Sequence, residues 1–146
     1  MVRLEPKGFD PGALLGAFSK DRSETGAVVS FTGIVRTDAG TASALELEAY
    51  PGFTEAEIGR IAAQATARFS LQDHLIVHRV GRIEAGEPVV FVATAAAHRR
   101  EAFEAADFLM DYLKSRAPFW KKEHGPAGER WVEPNARDLS DVARWE

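Results

Sequence analysis

Cysteine is missing from all 146 residues. That excludes disulfides, thiolate metal sites and a cysteine nucleophile, so any sulfur chemistry here must use sulfur brought from outside. Long apolar runs are missing too. The longest are far too short to span a bilayer, and the opening "MVRLEPKGFDPG" lacks the apolar core of a signal peptide, so a cytoplasmic protein is expected. There is no excess of positive charge: 18 Lys and Arg stand against 22 Asp and Glu, a formal net charge of -4. A nucleic-acid partner needs a basic face to neutralise phosphates, and this balance argues against one. The four histidines form no HExxH-type ligand motif, and there is no P-loop, GxGxxG or GxSxG. Neither a resident metal nor a cofactor is expected. Low-complexity segments and internal repeats are absent as well.

What is present reads as one domain over residues 1–146. The apolar share is 45% and the charged share 27%, ordinary for a globular chain with one core. Asp10 before Pro11 is an N-cap with proline at the first helical position, opening the short helix "PGALLGAFSK". "GAVVSFTGIVR" (Gly26–Arg36) reads as a mostly buried strand. "TDAGTAS" (Thr37–Ser43) reads as a flexible loop. "ALELEAY" (Ala44–Tyr50) alternates like a half-exposed strand. Thr54 and Glu57 form a capping box for a helix with Ile58, Ile61, Ala62, Ala65 and Phe69 on one face. "HLIVHRV" and "PVVFVAT" are two further strands, with "GRIEAGE" as a hairpin-type connection between them. A second long helix runs from about Ala96 to Arg116, with Phe103, Ala106, Met110 and Leu113 facing the core, and Pro118 stops it. "ERWVE" is a short last strand. The polar tail packs through Leu139, Val142 or Trp145. The order α-β-β-α-β-β-α-β does not alternate strictly. It predicts an α+β fold, helices on a mixed or antiparallel sheet, with the split βαβ order from Ala44 onward.

Cations sit in telling places. His98 and Arg99 occupy the start of the second long helix, where the dipole already presents positive potential. They are either an anion site or solvated charges on a frayed end, and composition leaves both open. Lys114 lies in the last turn, where a cation suits the dipole. Lys121 and Lys122 follow the proline break, beside Phe119 and Trp120. An anchored turn there would hold Lys121 partly desolvated, which lowers a lysine's pKa and makes it a usable nucleophile or base. Two lysines flanking a fixed turn are thus expected to converge on one pocket. Arg36 ends the first long strand, a common grip for phosphate or carboxylate, although an ordinary exposed arginine is the simpler reading. His78, within a strand, reads as a satisfied structural histidine. The residues alone predict an anionic small-molecule site with a nucleophilic lysine.

The stretches "GAVVSFTGIVR", "LELEAYPGFTEAEI", "HRVGRIEAGEPVVFVATAAAHRREAFEAADFLMDYLKSRAPFWKKE" and "GERWVE" resemble the catalytic, large subunit of molybdopterin synthase over nearly the whole chain. The resemblance implies an α/β hammerhead fold with an added α+β part. It implies sulfur transfer from the C-terminal Gly-Gly thiocarboxylate of a small ubiquitin-like partner subunit to cyclic pyranopterin monophosphate. It also implies a homodimer of catalytic subunits within a heterotetramer. Carried over by residue, Lys114 and Lys121 are the catalytic lysines. Ile34, Val35, Arg36, His98, Arg99, Lys122 and Glu123 join them around the substrate. Arg36, His98 and Arg99 then position the phosphate, Lys114 stabilises or bonds the partner's terminal carbonyl, and Lys121 moves a proton or polarises the pterin carbon. Ile34 stands where some relatives carry lysine, and Ala49 where histidine is common. The rival readings are a non-catalytic anion- or partner-binding module on the same fold, and a single-strand binder stacking bases on Trp120 and Phe119.

Overall fold

The computed structural model describes residues 1–36, 43–126 and 128–146. The expected loop Thr37–Ser43 lies outside them, Ser43 excepted. Two four-stranded sheets and four helices make up the described residues, an α+β arrangement. Sheet A takes β1 (Val2–Glu5), β4 (Asp73–Arg79), β6 (Pro88–Ala96) and β2 (Ala27–Ile34) in that spatial order. It is mixed, because β1 runs parallel to β4 while β4, β6 and β2 are antiparallel neighbours. Sheet B takes β5 (Gly81–Glu84), β3 (Ala44–Ala49), β7 (Phe119–Gly125) and β8 (Gly128–Val132), all antiparallel.

Sheet A is covered on both faces, which explains why "PVVFVATAA" is apolar without alternation. Towards one face, Ile76, Val90 and Val92 meet α2 (Phe53–Phe69) and α3 (Arg99–Ser115) through Ile58, Ile61, Ala65, Ala105, Phe108 and Leu109. Towards the other, Leu75, Val77, Phe91 and Ala93 meet α1 (Pro11–Ser19) through Phe18. Each large side chain buried this way contributes about 1.5–3 kcal/mol. The Asp10 cap is as expected, its Oδ1 accepting from the amides of Gly12 and Ala13.

Several expectations need correction. The capping box at Thr54 does not form: α2 starts at Phe53 after Gly52, which caps without a side chain. Thr54 is fully buried, and its hydroxyl accepts from the Tyr50 amide and donates to the Pro118 carbonyl. "GRIEAGE" is not a simple hairpin link. Gly81, at φ +81°, turns the chain out of sheet A and straight into β5 of sheet B; such a φ favours glycine. The long helix begins at Arg99 rather than Ala96, because residues 95 and 96 are still paired in β6. Phe103 is 60% exposed and is not a core residue. β1 and β7 were not anticipated. The polar tail folds as α4 (Ala136–Ala143), capped by the Asn135 side chain. Val142 is buried and Trp145 packs edge-on against Phe69 and Phe108, while Leu139 stays exposed. Among the described residues no helix is long and apolar enough to cross a membrane.

Candidate active site

A cavity of about 470 Å³ opens where sheet A, sheet B, α3 and α4 meet. β2 supplies Phe31 to Ile34, β3 supplies Leu45 and Leu47, and β7 supplies Phe119 and Lys121. α3 adds Asp111 and Lys114, and α4 adds Asp138 and Asp141. The convergence expected of Lys114 and Lys121 is therefore met. Pro118 ends the α3 segment, and β7 starts one residue later and turns back across sheet B. The corner is pinned by the Thr54 hydroxyl on the Pro118 carbonyl, at 2.8 Å, and by the Phe119 ring stacked on His78, centroids 4.3 Å apart.

Strand alternation then sorts the two adjacent lysines. Lys121 is in register with Leu47 and shares the cavity with it. Burial, and next the Lys114 ammonium, hold the Lys121 amine below the usual lysine range. Lys122 points to the other side. Its ammonium lies 3.2 Å from Glu129 and 4.5 Å from the centre of the Trp131 ring. Glu123 lies on the Lys121 side but further along the strand, where Arg130 engages it at 3.0 Å.

The β2 wall carries Ile34, which is 57% exposed at the cavity mouth, with Val35 and Arg36 directly after it. Gly33 is required there: a Cβ would come within 2.7 Å of Val90 Cγ1. His98 and Arg99 are the exception to the expected grouping. His98 caps α3 and Arg99 opens it, whereas Lys114 is in its last turn. At about 1.5 Å per residue, roughly 22 Å of helix separates Arg99 from Lys114. Neither His98 nor Arg99 lines the cavity within one chain.

Sequence reasoning missed the acidic floor and His78. Asp111 is buried, with one carboxylate oxygen accepting from Arg144 and from the Trp145 indole, both at 2.6 Å. This ties α4 to α3 and sets Asp138 and Asp141 beside the lysines. The signal for α4 was the Asn135 cap, whose Oδ1 accepts from the Asp138 amide. His78, expected as a structural histidine, is also one of the residues that line the cavity. Among the described residues no group of three or more His, Asp or Glu side chains is placed to hold a metal ion.

The profile of the MoaE protein family matches residues 4–116. The chain belongs to the MoaE family. It is 65% identical over 146 residues to the molybdopterin synthase catalytic subunit of Caulobacter vibrioides, covering 100% of this chain and 97% of the relative. Among solved structures, a molybdopterin biosynthesis MoaE protein from Burkholderia ambifaria superposes with a TM-score of 0.84 at 45% identity, covering 99% of this chain and 97% of that one. Molybdopterin synthase from Staphylococcus aureus superposes with a TM-score of 0.80 at 27% identity, covering 89% and 95%. The two-sheet arrangement is thus a MoaE fold.

Proposed function

We propose that this chain is the catalytic subunit of a molybdopterin synthase, a single domain over residues 1–146 acting in the cytoplasm. It transfers sulfur from the C-terminal thiocarboxylate of a small ubiquitin-like subunit to cyclic pyranopterin monophosphate, forming the dithiolene. The observation that carries the reading is the meeting of Lys114 and Lys121 in one cavity of about 470 Å³, in a chain so similar to named catalytic subunits. A cavity of this size suits one small molecule. Lys121, held below its usual pKa by burial and by Lys114, is suited to moving a proton or polarising the carbon under attack. Lys114, on the cavity rim, suits the partner's terminal carbonyl.

Arg36, two residues beyond the cavity-lining Ile34, and the His98–Arg99 pair are the phosphate ligands in this reading. The roughly 22 Å of α3 between that pair and Lys114 gives the homodimer a reason: His98 and Arg99 of one copy serve the cavity of the other. Ile34, Val35 and Glu123 complete the substrate-binding segments; Lys122, expected among them, is set apart in this reading because its side chain turns to Glu129 and Trp131 on the other face of β7. The test is reconstitution of the purified chain with a thiocarboxylated small subunit and the pterin precursor. Dithiolene formation is expected. Binding of both without turnover would leave a non-catalytic binding module.

A further inference from the structure

His78 is a buried titratable group of the cavity lining to which the mechanism above gives no task. It is 8% exposed and stacked on Phe119. Its Nδ1 lies 2.8 Å from the Arg79 carbonyl oxygen. A carbonyl oxygen only accepts, so Nδ1 carries the proton and the neutral ring keeps its lone pair on Nε2. Among the described residues Nε2 has no hydrogen-bond partner. It is also not one of the sealed orphans, which are Arg79 Nε and Glu101 Oε2. With the ring lining the cavity, that leaves Nε2 open towards it.

The surroundings say which groups this lone pair can reach. Lys121 is two residues beyond Phe119 on the same face of β7, next to the ring on which His78 stacks. The charged groups facing the cavity are Lys114 and Asp111 from α3, Lys121 from β7, and Asp138 and Asp141 from α4. Glu123 reaches Lys121 electrostatically, and the lining side chains of β2, β3 and β6 are uncharged. A third cation beside two lysines would be repelled, whereas an uncharged acceptor is not.

We propose that His78 is a positioning residue for this reaction: its neutral ring offers Nε2 as the acceptor that seats the side-chain nitrogen of Lys121. Burial first, and then the two lysines, push the His78 imidazole down to about 4, so the acceptor stays uncharged at any working pH. Among the described residues the only ring hydrogen bond of His78 is at Nδ1; when the Lys121 side chain moves onto Nε2, the hydrogen bond it donates there fixes one N–H direction and so where the rest of the amine points. The proposal rests on the sulfur-transfer reading for its role, but its geometry can be tested without it.

The experiment compares His78→Phe, which keeps a ring against Phe119 and loses the acceptor, with His78→Gln, whose amide oxygen reaches about as far as Nε2. The first readout is the pH dependence of Lys121 modification by an amine-reactive acylating reagent, followed by peptide mass spectrometry on the full chain. An acceptor favours the charged amine, so His78→Phe should become reactive at lower pH and His78→Gln should return towards the native profile. In the reconstituted assay, kcat should fall by about 10- to 100-fold in His78→Phe, with KM for the pterin and affinity for the small subunit unchanged, and should partly recover in His78→Gln. A native Lys121 profile in His78→Phe, or a His78→Gln variant as impaired as His78→Phe in both readouts, overturns the proposal. If the native chain transfers no sulfur, the functional reading fails, and the Lys121 profile still decides the role of His78.

Discussion

The two faces of sheet B use the same residue type for opposite ends. On the cavity face, Lys121 is half-buried beside Leu47, Phe119 and a second lysine. On the other face, one residue later, Lys122 is neutralised by Glu129 and lies over Trp131. Trp120, 53% exposed on that face, packs against Tyr50 and Trp131. The outer face satisfies its charges locally; the cavity face concentrates them. A period of two residues is enough to make one lysine chemical and its neighbour structural.

The contrast is tested most severely by Lys121→Ala. Sulfur transfer should fall by roughly 10²–10⁴-fold, the range for loss of a positioned acid or base, while binding of the small subunit and the folded state survive. Retained turnover in the reconstituted assay would remove Lys121 from the mechanism. Lys121→Met adds a stability readout. With the folded pKa lowered, the unfolded state holds more protons between that value and 10.5, so stability rises with pH through this window. The variant lacks the buried charge. Its Tm should therefore exceed that of the native chain at pH 7, with the gap narrowing as pH approaches 10.5.

Acid should expose the second difference between the faces. His78, on the cavity side, must bind its proton near pH 4 when folded but near 6.5 when unfolded. As pH falls from 6.5 towards 4 the unfolded state takes the proton first, so folding stability is lost across that window, by roughly 3 kcal/mol. Chemical denaturation of the native chain and of His78→Phe at pH 7 and pH 4 isolates this contribution. The variant should be the less acid-sensitive of the two. Equal slopes would mean that the ring is not held neutral.

A smaller effect is expected where the two faces meet the helical layer. Thr54→Val keeps the shape but removes the donor to the Pro118 carbonyl and the acceptor for the Tyr50 amide, both partly buried bonds made from a fully buried Thr54. About 1–3 kcal/mol should be lost, the cost of leaving such groups unpaired. Because the Pro118 corner sets the direction of β7, kcat should fall along with Tm. Lower stability with unchanged kcat would show that the corner is held by packing alone.

How much of this was legible in the sequence follows from which forces were local. The strand through "VVSFTGI", the periodic face of α2 and the Pro118 stop each rest on neighbours within a few residues, and were readable. β7 was not, because "FWKKEHG" does not alternate apolar with polar: its inward face is a functional one, carrying Lys121 and Glu123 where a core strand would carry valine. α4 hid for the opposite reason. Its polar composition resembles a tail, and its attachment runs through Asp111, Arg144 and Trp145, 33 and 34 residues apart in the chain. The capping box at Thr54 misled because a partner 64 residues away, the Pro118 carbonyl, competes for the hydroxyl. In the site, the lysines were suggested by the proline and aromatics and named through resemblance. The acidic floor and the open nitrogen of His78 depend on contacts that only the folded chain creates.

The smallest effect is expected at Lys122→Ala, and it is also the control that gives the first prediction its meaning. Lys122 loses an ion pair with a half-exposed Glu129, worth about 0–1 kcal/mol, and a cation–π contact with Trp131, worth about 0.5–1 kcal/mol at an exposed site. Both hold β8 to β7, so the loss should be a degree or a few in Tm, read by thermal denaturation. Sulfur transfer should stay within about threefold of native, because the side chain is turned away from the cavity. A large loss of kcat with native stability would mean that Lys122 reaches substrate, and the division of labour between the two faces of sheet B would fall. If instead Lys121→Ala is severe and Lys122→Ala mild in the same assay, the alternation of a single strand has separated catalysis from scaffolding over one residue.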